Sequence, residues 1–324
     1  MNTAALQVRV ARKTIEAQDI CSFELVRTDG GMLPAFSAGS HVDVQVPNSQ
    51  GGLTRQYSLC NDPSESHRYL IGVLKDPATR GGSKAMHEQV NEGDTIEISA
   101  PKNHFALAHE AKHHVLLAGG IGITPILCMA ERLAVMGASF EMHYCTRSRE
   151  RTAFVSHIAA SSFAARVTHR FDDGPPTQKL DIAAFVRTPQ AGTHLYVCGP
   201  KGFMDAVLGA ARGAGWPEPQ LHYEFFSAAP TATDADGSFE VKLASSGRVV
   251  VVPKDQSVVQ ALAAAGIEVM TSCEQGVCGT CVTRVLEGQP DHRDLYFTPQ
   301  EQAANDRFTP CCSRAKSARL VLDL

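Results

Sequence analysis

Long apolar runs are missing from this chain. No stretch approaches the ~18 consecutive apolar residues of a bilayer span, so no membrane segment is expected. Residues 1–14 lack the apolar centre of a secretory signal, so none is expected there. Runs of one charge sign are missing too. The 30 basic and 34 acidic residues nearly balance and are interspersed, which argues against nucleic acid and against an anionic membrane surface as partners. There is no internal repeat and no long low-complexity tract. A disulfide framework is also lacking: of ten cysteines, Cys21, Cys60, Cys128, Cys145 and Cys198 are scattered through apolar or loop positions. That distribution fits a reducing cytosol, and a cytoplasmic location is expected. At 324 residues the chain exceeds one ordinary core, so two or three domains are expected.

What is present is concentrated near the C-terminus. Cys273, Cys278 and Cys281 stand in the run Cys-Glu-Gln-Gly-Val-Cys-Gly-Thr-Cys, and Cys311 follows after a long gap. This C-x4-C-x2-C…C spacing is that of plant-type [2Fe–2S] sites, and soft thiolates suit such clusters. Gly276 and Gly279 let the loop bend sharply between the ligands. The competing reading is a zinc knuckle, but zinc sites use paired C-x2-C units and only one such unit exists here. Cys312 adjoins Cys311. Position favours Cys311 as the fourth ligand and leaves Cys312 as a small buried side chain.

Along the chain, residues 6–110 read as short strands separated by Gly, Pro and Asn turns, which suggests a small antiparallel barrel. Over residues 112–226, apolar strands alternate with helical stretches at 125–136 and 201–214, the pattern of a parallel α/β layer. Residues 227–237 are small and polar and read as a linker. A hairpin, a short helix and the cysteine loop follow, in a segment about the size of a ferredoxin. The expected division is 1–110, 111–228, a linker over 229–237, and 238–324.

Arg55, Tyr57 and Ser58 sit in one barrel strand. An arginine can pair with a phosphate bidentately, a tyrosine ring can lie along an isoalloxazine, and a serine hydroxyl can reach its polar edge. Gly81, Gly82 and Ser83 open a helix whose free N–H groups suit a phosphate. Either motif alone could be an ordinary strand or helix start, but in this order they point to a flavin.

The run Leu116–Pro125 reads as strand, glycine turn and helix. Gly120, Gly122 and Thr124 lie where a pyrophosphate can approach backbone N–H groups, although the third glycine of G-x-G-x-x-G is missing. Cys198, Gly199 and Pro200 close another strand on the same carboxyl rim. Cys198 is either a plain buried thiol or a neighbour of the nicotinamide. Arg147, with Ser148 beside it, falls at the end of the second strand of the layer, where it can accept a 2′-phosphate or pair with the diphosphate of either cofactor. In Tyr-Glu-Phe-Phe (223–226) the aromatics are either core or, through Phe226, a cover for the flavin ring.

Taken together, these motifs resemble the phthalate dioxygenase reductase family, a branch of the ferredoxin–NADP reductase superfamily, over essentially the whole chain. The segment from Cys273 to Arg314 is most similar to the family's vanillate O-demethylase branch. The resemblance implies a multidomain chain: an antiparallel β-barrel flavin domain, an α/β parallel-sheet nicotinamide domain and a C-terminal β-grasp ferredoxin domain. It implies FMN at Arg55, Tyr57, Ser58 and the 81–83 turn. The short spacing from Ser58 to Gly81 shows no adenine-binding insertion, so FMN is expected over FAD. It also implies nicotinamide between Thr124 and Cys198, with NADH preferred and NADPH possible. Electrons would pass from NADH through FMN and the [2Fe–2S] cluster to a separate Rieske-type oxygenase component acting on an aromatic substrate. Flavin belongs between the other two carriers because it exchanges either two electrons or one. No side-chain acid or base is needed for that transfer. A monomer is expected. Docking of the oxygenase is expected on a mixed-charge face of Glu274, Glu287, Asp291, Asp294, Arg284 and Arg293. The alternatives are a reductase for another hydroxylase or ferredoxin, and a redox-sensing or zinc-binding protein on an inactive reductase fold.

Overall fold

The computed structural model describes residues 5–47, 53–77, 81–226 and 236–324. Most of the expected linker, through residue 235, lies outside them. The chain divides into two compact units, residues 1–224 and 225–324. No described helix is long and apolar enough to cross a membrane.

The first unit begins with strands β1 (Leu6–Ala17), β2 (Ile20–Arg27), β3 (Ser40–Gln45), β4 (Thr54–Ser58) and β5 (Tyr69–Leu74). Helix α1 (Gly82–Gln89), β6 (Thr95–Ile98) and the short β7 (Lys102–Asn103) follow. The strands pair antiparallel in the order β4-β3-β6-β1-β2-β5, with β7 on β3. A bridge between Leu59 and Ile71 joins the two ends of this sheet and closes it. Closure leaves no open edge. The interior is filled by alternate residues of each strand, among them Val8, Val10, Phe23, Leu25, Val42 and Val44, all buried. The period-2 alternation that marked these strands in the sequence is the physical consequence of that single packed face.

The unit continues with β8 (His113–Gly119), α2 (Ile123–Val135), β9 (Phe140–Thr146), α3 (Val155–Ala160), β10 (Val167–Phe171), α4 (Ile182–Phe185), β11 (Thr193–Cys198), α5 (Lys201–Gly213) and β12 (Leu221–Glu224). The five strands are parallel, in the order β10-β9-β8-β11-β12. β8 and β11 are neighbours although far apart in sequence, so strand order reverses between them. That crevice, beyond the carboxyl ends of both strands, is where open parallel sheets bind ligands.

One face of this sheet carries His114, His194, Tyr196 and His222 in a stack. His194 Nδ1 lies 2.8 Å from His222 Nε2, and Tyr196 stacks on His222 at 4.5 Å. Burial lowers His114 to about 4, with its histidine neighbours adding to the effect. Burial likewise lowers His41 of the barrel to about 4. Both imidazoles are therefore neutral in the fold at pH 7, while in the unfolded chain they titrate near 6.5. Below pH 6.5 the unfolded state binds more protons, so stability falls as pH drops from 6.5 towards 4 and levels off below that. Each group costs on the order of 1–2 kcal/mol by pH 5. The thermal midpoint is expected to fall by several degrees between pH 7 and 5, and His114→Gln to flatten that dependence. A midpoint independent of pH over this range would contradict this account.

The second unit holds β13 (Phe239–Leu243), β14 (Val249–Val252), α6 (Val258–Ala264), β15 (Thr283–Glu287), β16 (Pro290–Asp291), α7 (Pro299–Ala304), β17 (Arg307–Phe308), β18 (Arg314–Ala315) and β19 (Arg319–Leu322). The mixed sheet runs β14-β13-β19-β15-β17, with β16 and β18 forming a separate pair. Capping boxes start both helices: Ser257 with Gln260, and Thr298 with Glu301. Helix α6 buries Val258, Ala261 and Leu262 against Val241, Val252, Leu320 and Leu322. The cysteine loop spans the gap from α6 to β15.

Candidate functional site

At the barrel end of the first unit, β4 brings Arg55 across the first turn of α1. A Cβ on Gly82 would come within 2.9 Å of Arg55 Nε and 3.0 Å of Arg55 Cγ. Any side chain at 82 would push the Arg55 side chain off this position. Gly81, at φ 103, caps the helix with no side-chain hydrogen bond, and the first-turn N–H groups have no partner within the helix. Arg55 is buried, and one guanidinium nitrogen donates to the Thr54 carbonyl at 2.7 Å. Ser83 Oγ accepts from the Asp76 N–H at 3.2 Å, which leaves its own proton available. A guanidinium and a helix N-terminus thus face one point, an arrangement that fits a phosphate. Tyr57, two residues from Arg55, packs on the barrel core and is kept protonated by burial.

Ser58 points the other way and meets the parallel sheet. Its Oγ donates to Glu224 Oε2 at 3.4 Å. Glu224 ends β12 and lies in register with Cys198, the last residue of β11. Burial raises the Glu224 carboxyl to about 7, partly offset by the Ser58 hydroxyl. The Cys198 thiol is fully buried and pushed well up, first by burial and then by Glu224, so it is neutral. Sequence reading placed Ser58 and Cys198 but passed over Glu224. Its only signal there was an acidic residue inside an otherwise aromatic run.

The turn after β8 comes against the same rim. Gly120 adopts φ 52, and a Cβ on Gly122 would run into the Cys198 carbonyl and the Gly199 nitrogen. Close approach of the two strand ends therefore demands glycine at 122. Thr124 is buried and its hydroxyl donates to the Ile121 carbonyl at 3.1 Å, bracing the turn. Pro200 caps α5, whose first turn opens beside this point. Arg147 is exposed at the end of β9. The pairing of β10 with β9 sets Asp172 and Asp173 next to it: their N–H groups donate to the Thr146 and Arg147 carbonyls at 3.0 and 3.1 Å. These carboxylates, on the third strand of the layer, were not legible from the second. Phe226 falls in the second unit.

The cysteines of the second unit fall in two groups: Cys273 lies beside Cys278, and Cys281, Cys311 and Cys312 cluster together. The mutual influence of Cys273 and Cys278 lowers the Cys278 thiol and raises Cys273. The Gln275 N–H also donates to Cys273 Sγ at 3.3 Å. Gly276 and Gly279, both at φ 71, make the bends. Among the described residues no set of three or more His, Cys, Asp or Glu side chains converges as around one ion. Soft thiolates in the C-x4-C-x2-C…C spacing fit an iron–sulfur cluster better than a zinc ion. Cys312 is buried beside the Thr309 hydroxyl at 3.2 Å and packs under Gly276.

The expected mixed-charge face is not all surface. Asp294 is buried; its carboxylate accepts from the Phe297 N–H at 2.9 Å and the Ser313 hydroxyl at 3.3 Å. Arg293 is bridged to Asp236 and Asp291. An isolated carboxylate is expensive to bury and is tolerated here because its oxygens are hydrogen-bonded.

Residues 241–316 match the family of 2Fe-2S iron-sulfur cluster binding domains, and residues 96–221 match the N-terminal domain of dimethylamine monooxygenase subunit DmmA-like proteins. The chain is 58% identical to a vanillate O-demethylase oxidoreductase of Pseudomonas putida, over 97% of this chain and 98% of that protein. It is 40% identical to a phthalate dioxygenase reductase of Burkholderia cepacia, over 98% and 97%. Among solved structures, it superposes with TM-score 0.81 on a phthalate dioxygenase reductase described as a modular structure for electron transfer from pyridine nucleotides to [2Fe–2S], at 40% identity, covering 99% of this chain and 98% of that one.

Proposed function

The chain belongs to the phthalate dioxygenase reductase family, and from that premise we propose that it carries electrons from NADH through FMN and a [2Fe–2S] cluster to a separate Rieske-type oxygenase acting on an aromatic ether or acid. The observation that carries this reading is that one chain holds both the Ser58–Glu224–Cys198 rim and the grouped cysteines Cys273, Cys278, Cys281 and Cys311. A bound flavin supplies the exchange between two-electron and one-electron chemistry. The protein's own residues position the carriers. Arg55 with the Gly81–Ser83 turn holds the FMN phosphate, and Tyr57 and Ser58 line its ring. Gly120, Gly122, Gly199 and Pro200 let the pyridine nucleotide approach the backbone, and Thr124 and Cys198 flank the nicotinamide. The neutral Cys198 thiol offers a small, unreactive wall. Glu224, poised near neutrality, can hold or release a proton at Oε2 next to Ser58 Oγ. Cys273 with Cys278, and Cys281 with Cys311, hold the cluster. We assign residues 1–110 to flavin, 111–228 to nicotinamide and 238–324 to the cluster. We place the protein in the cytoplasm as a monomer, in keeping with ten free cysteines.

Preference for NADH over NADPH follows from Asp172 and Asp173 beside Arg147. Exposed acidic residues beside Arg147 would repel a 2′-phosphate bound there, and like charges set together cost enough for about a tenfold bias. Released flavin analysed by chromatography is expected to be FMN, with iron and acid-labile sulfide in equal amounts, and kcat/KM to favour NADH. FAD as the main flavin, or equal kcat/KM with NADPH, would overturn the corresponding assignment.

A further inference from the structure

Resting on the reading above that electrons leave for a separate oxygenase, we propose that Tyr296 is the contact through which the exposed edge of the cluster site docks on that protein. Of the four thiols, Cys273, Cys281 and Cys311 are buried and Cys278 alone is partly exposed. The route from the cluster to a partner is shortest at Cys278, so the acceptor must meet this edge. Gly279 and Thr280 follow Cys278 there, partly exposed and exposed. Tyr296 lies against the same turn: a Cβ on Gly279 would meet its ring, with Oη at 2.8 Å. Yet Tyr296 remains 48% exposed, and Met270, ahead of Cys273, is 80% exposed.

Tyr296 is also held rigid. Its ring meets Phe297 edge-on at 5.0 Å and 76°. Phe297 is buried, tied through its N–H to Asp294 and covered by the Arg307 guanidinium at 5.4 Å. A side chain already fixed in place loses little freedom on binding, and half-exposed aromatics are the usual anchors of interfaces. The nearby charges point the same way. Asp294 is buried, Arg293 is bridged to Asp236 and Asp291, and Arg284 lies 3.9 Å from Asp323. Val277, Gly279, Thr280 and Tyr296, around Cys278, carry no formal charge, and the partly exposed Glu274 is the one charged side chain between Cys273 and Cys281. The fitting occupant is therefore an electron-accepting protein with a partly apolar patch, free of acidic groups facing Glu274, around its own redox centre. Such transient electron-transfer contacts are small, so one rigid aromatic can dominate.

The test compares the full-length holoprotein with Tyr296→Ala and Tyr296→Leu, the latter keeping an apolar cover over Gly279. Four quantities are measured: iron and sulfide content, NADH-driven reduction of cytochrome c, oligomeric state, and the KM for the oxygenase component of a vanillate O-demethylase. The expected result is a rise of about tenfold or more in that KM for both variants, with cluster content, cytochrome c reduction and oligomeric state unchanged. An unchanged KM would overturn the proposal. So would loss of cluster in both variants, which makes Tyr296 a cover for the loop. An equal fall in cytochrome c reduction would place Tyr296 on the path by which electrons reach the cluster. A change of oligomeric state would give the surface to a second copy of this chain. Should the unsubstituted protein fail to reduce this oxygenase while still reducing cytochrome c, the choice of partner falls, and the docking assignment with it.

Discussion

Cys278→Ser is expected to reduce electron delivery to the oxygenase to background while leaving NADH oxidation by a two-electron dye intact. The reason is the separation of the two sites within the chain. Cys278 lies beside Cys273 in the second unit, and that neighbour lowers its thiol. A serine hydroxyl is a harder and far weaker acid than a thiol and does not supply the soft thiolate that iron–sulfur clusters require. None of the residues proposed for flavin and nicotinamide, Arg55, Ser58, Gly122, Cys198 and Glu224, lies in that unit. The variant is expected to lose the cluster's visible absorption and its iron and sulfide, to keep its flavin, and to reduce dye at the unsubstituted rate. A normal cluster spectrum in Cys278→Ser would remove Cys278 from the ligand set. Parallel loss of dye reduction would show that the flavin site depends on the cluster.

Arg55→Ala is expected to weaken FMN retention about ten- to a hundredfold. Hydrogen bonds to charged groups are worth ~1.5–3 kcal/mol, and an arginine–phosphate pair can make two in parallel. That converts to the stated loss of affinity. The fold is expected to survive, because Arg55 lies over Gly82 at the end of the barrel rather than among the aliphatic residues that fill it. Flavin titration of the stripped protein checks the affinity, and circular dichroism checks the fold. Unchanged flavin affinity would remove Arg55 from the site, and a flavin-free but unfolded variant would make it a structural residue.

The acid-sensitive histidine stack and the buried Asp294 show where sequence reading ends. Neither has a local signature. His114, His194 and His222 are far apart in the chain and meet only because β8, β11 and β12 are adjacent and in register. Asp294 looked like a surface charge because carboxylates usually are. Its burial depends on Phe297 and Ser313 supplying donors, and one of these lies well downstream. β12 was hidden for a related reason. At four residues, Leu221–Glu224 is too short to display a period and is recognisable only by its pairing with β11. The two-residue strands β16, β17 and β18 are shorter still.

By itself the sequence determined what depends on near neighbours. The cysteine spacing sets one tight ligand loop, Gly81-Gly82 and Gly119–Gly122 set turns that expose backbone donors, and the change from alternating to helical periodicity separates a barrel from a parallel layer. Each signal lies within a span of about ten residues, where bond geometry alone restricts the chain. Only the tertiary structure decided which of these pieces meet. It joined Ser58 to Glu224 and Glu224 to Cys198, and it set Asp172 and Asp173 beside Arg147. It also brought Cys281 to Cys311 and Cys312, buried Asp294, and left Tyr296 against the turn that follows the partly exposed Cys278. Strand order and register are set by the burial of whole faces, a sum over many residues, so no short stretch of sequence contains them.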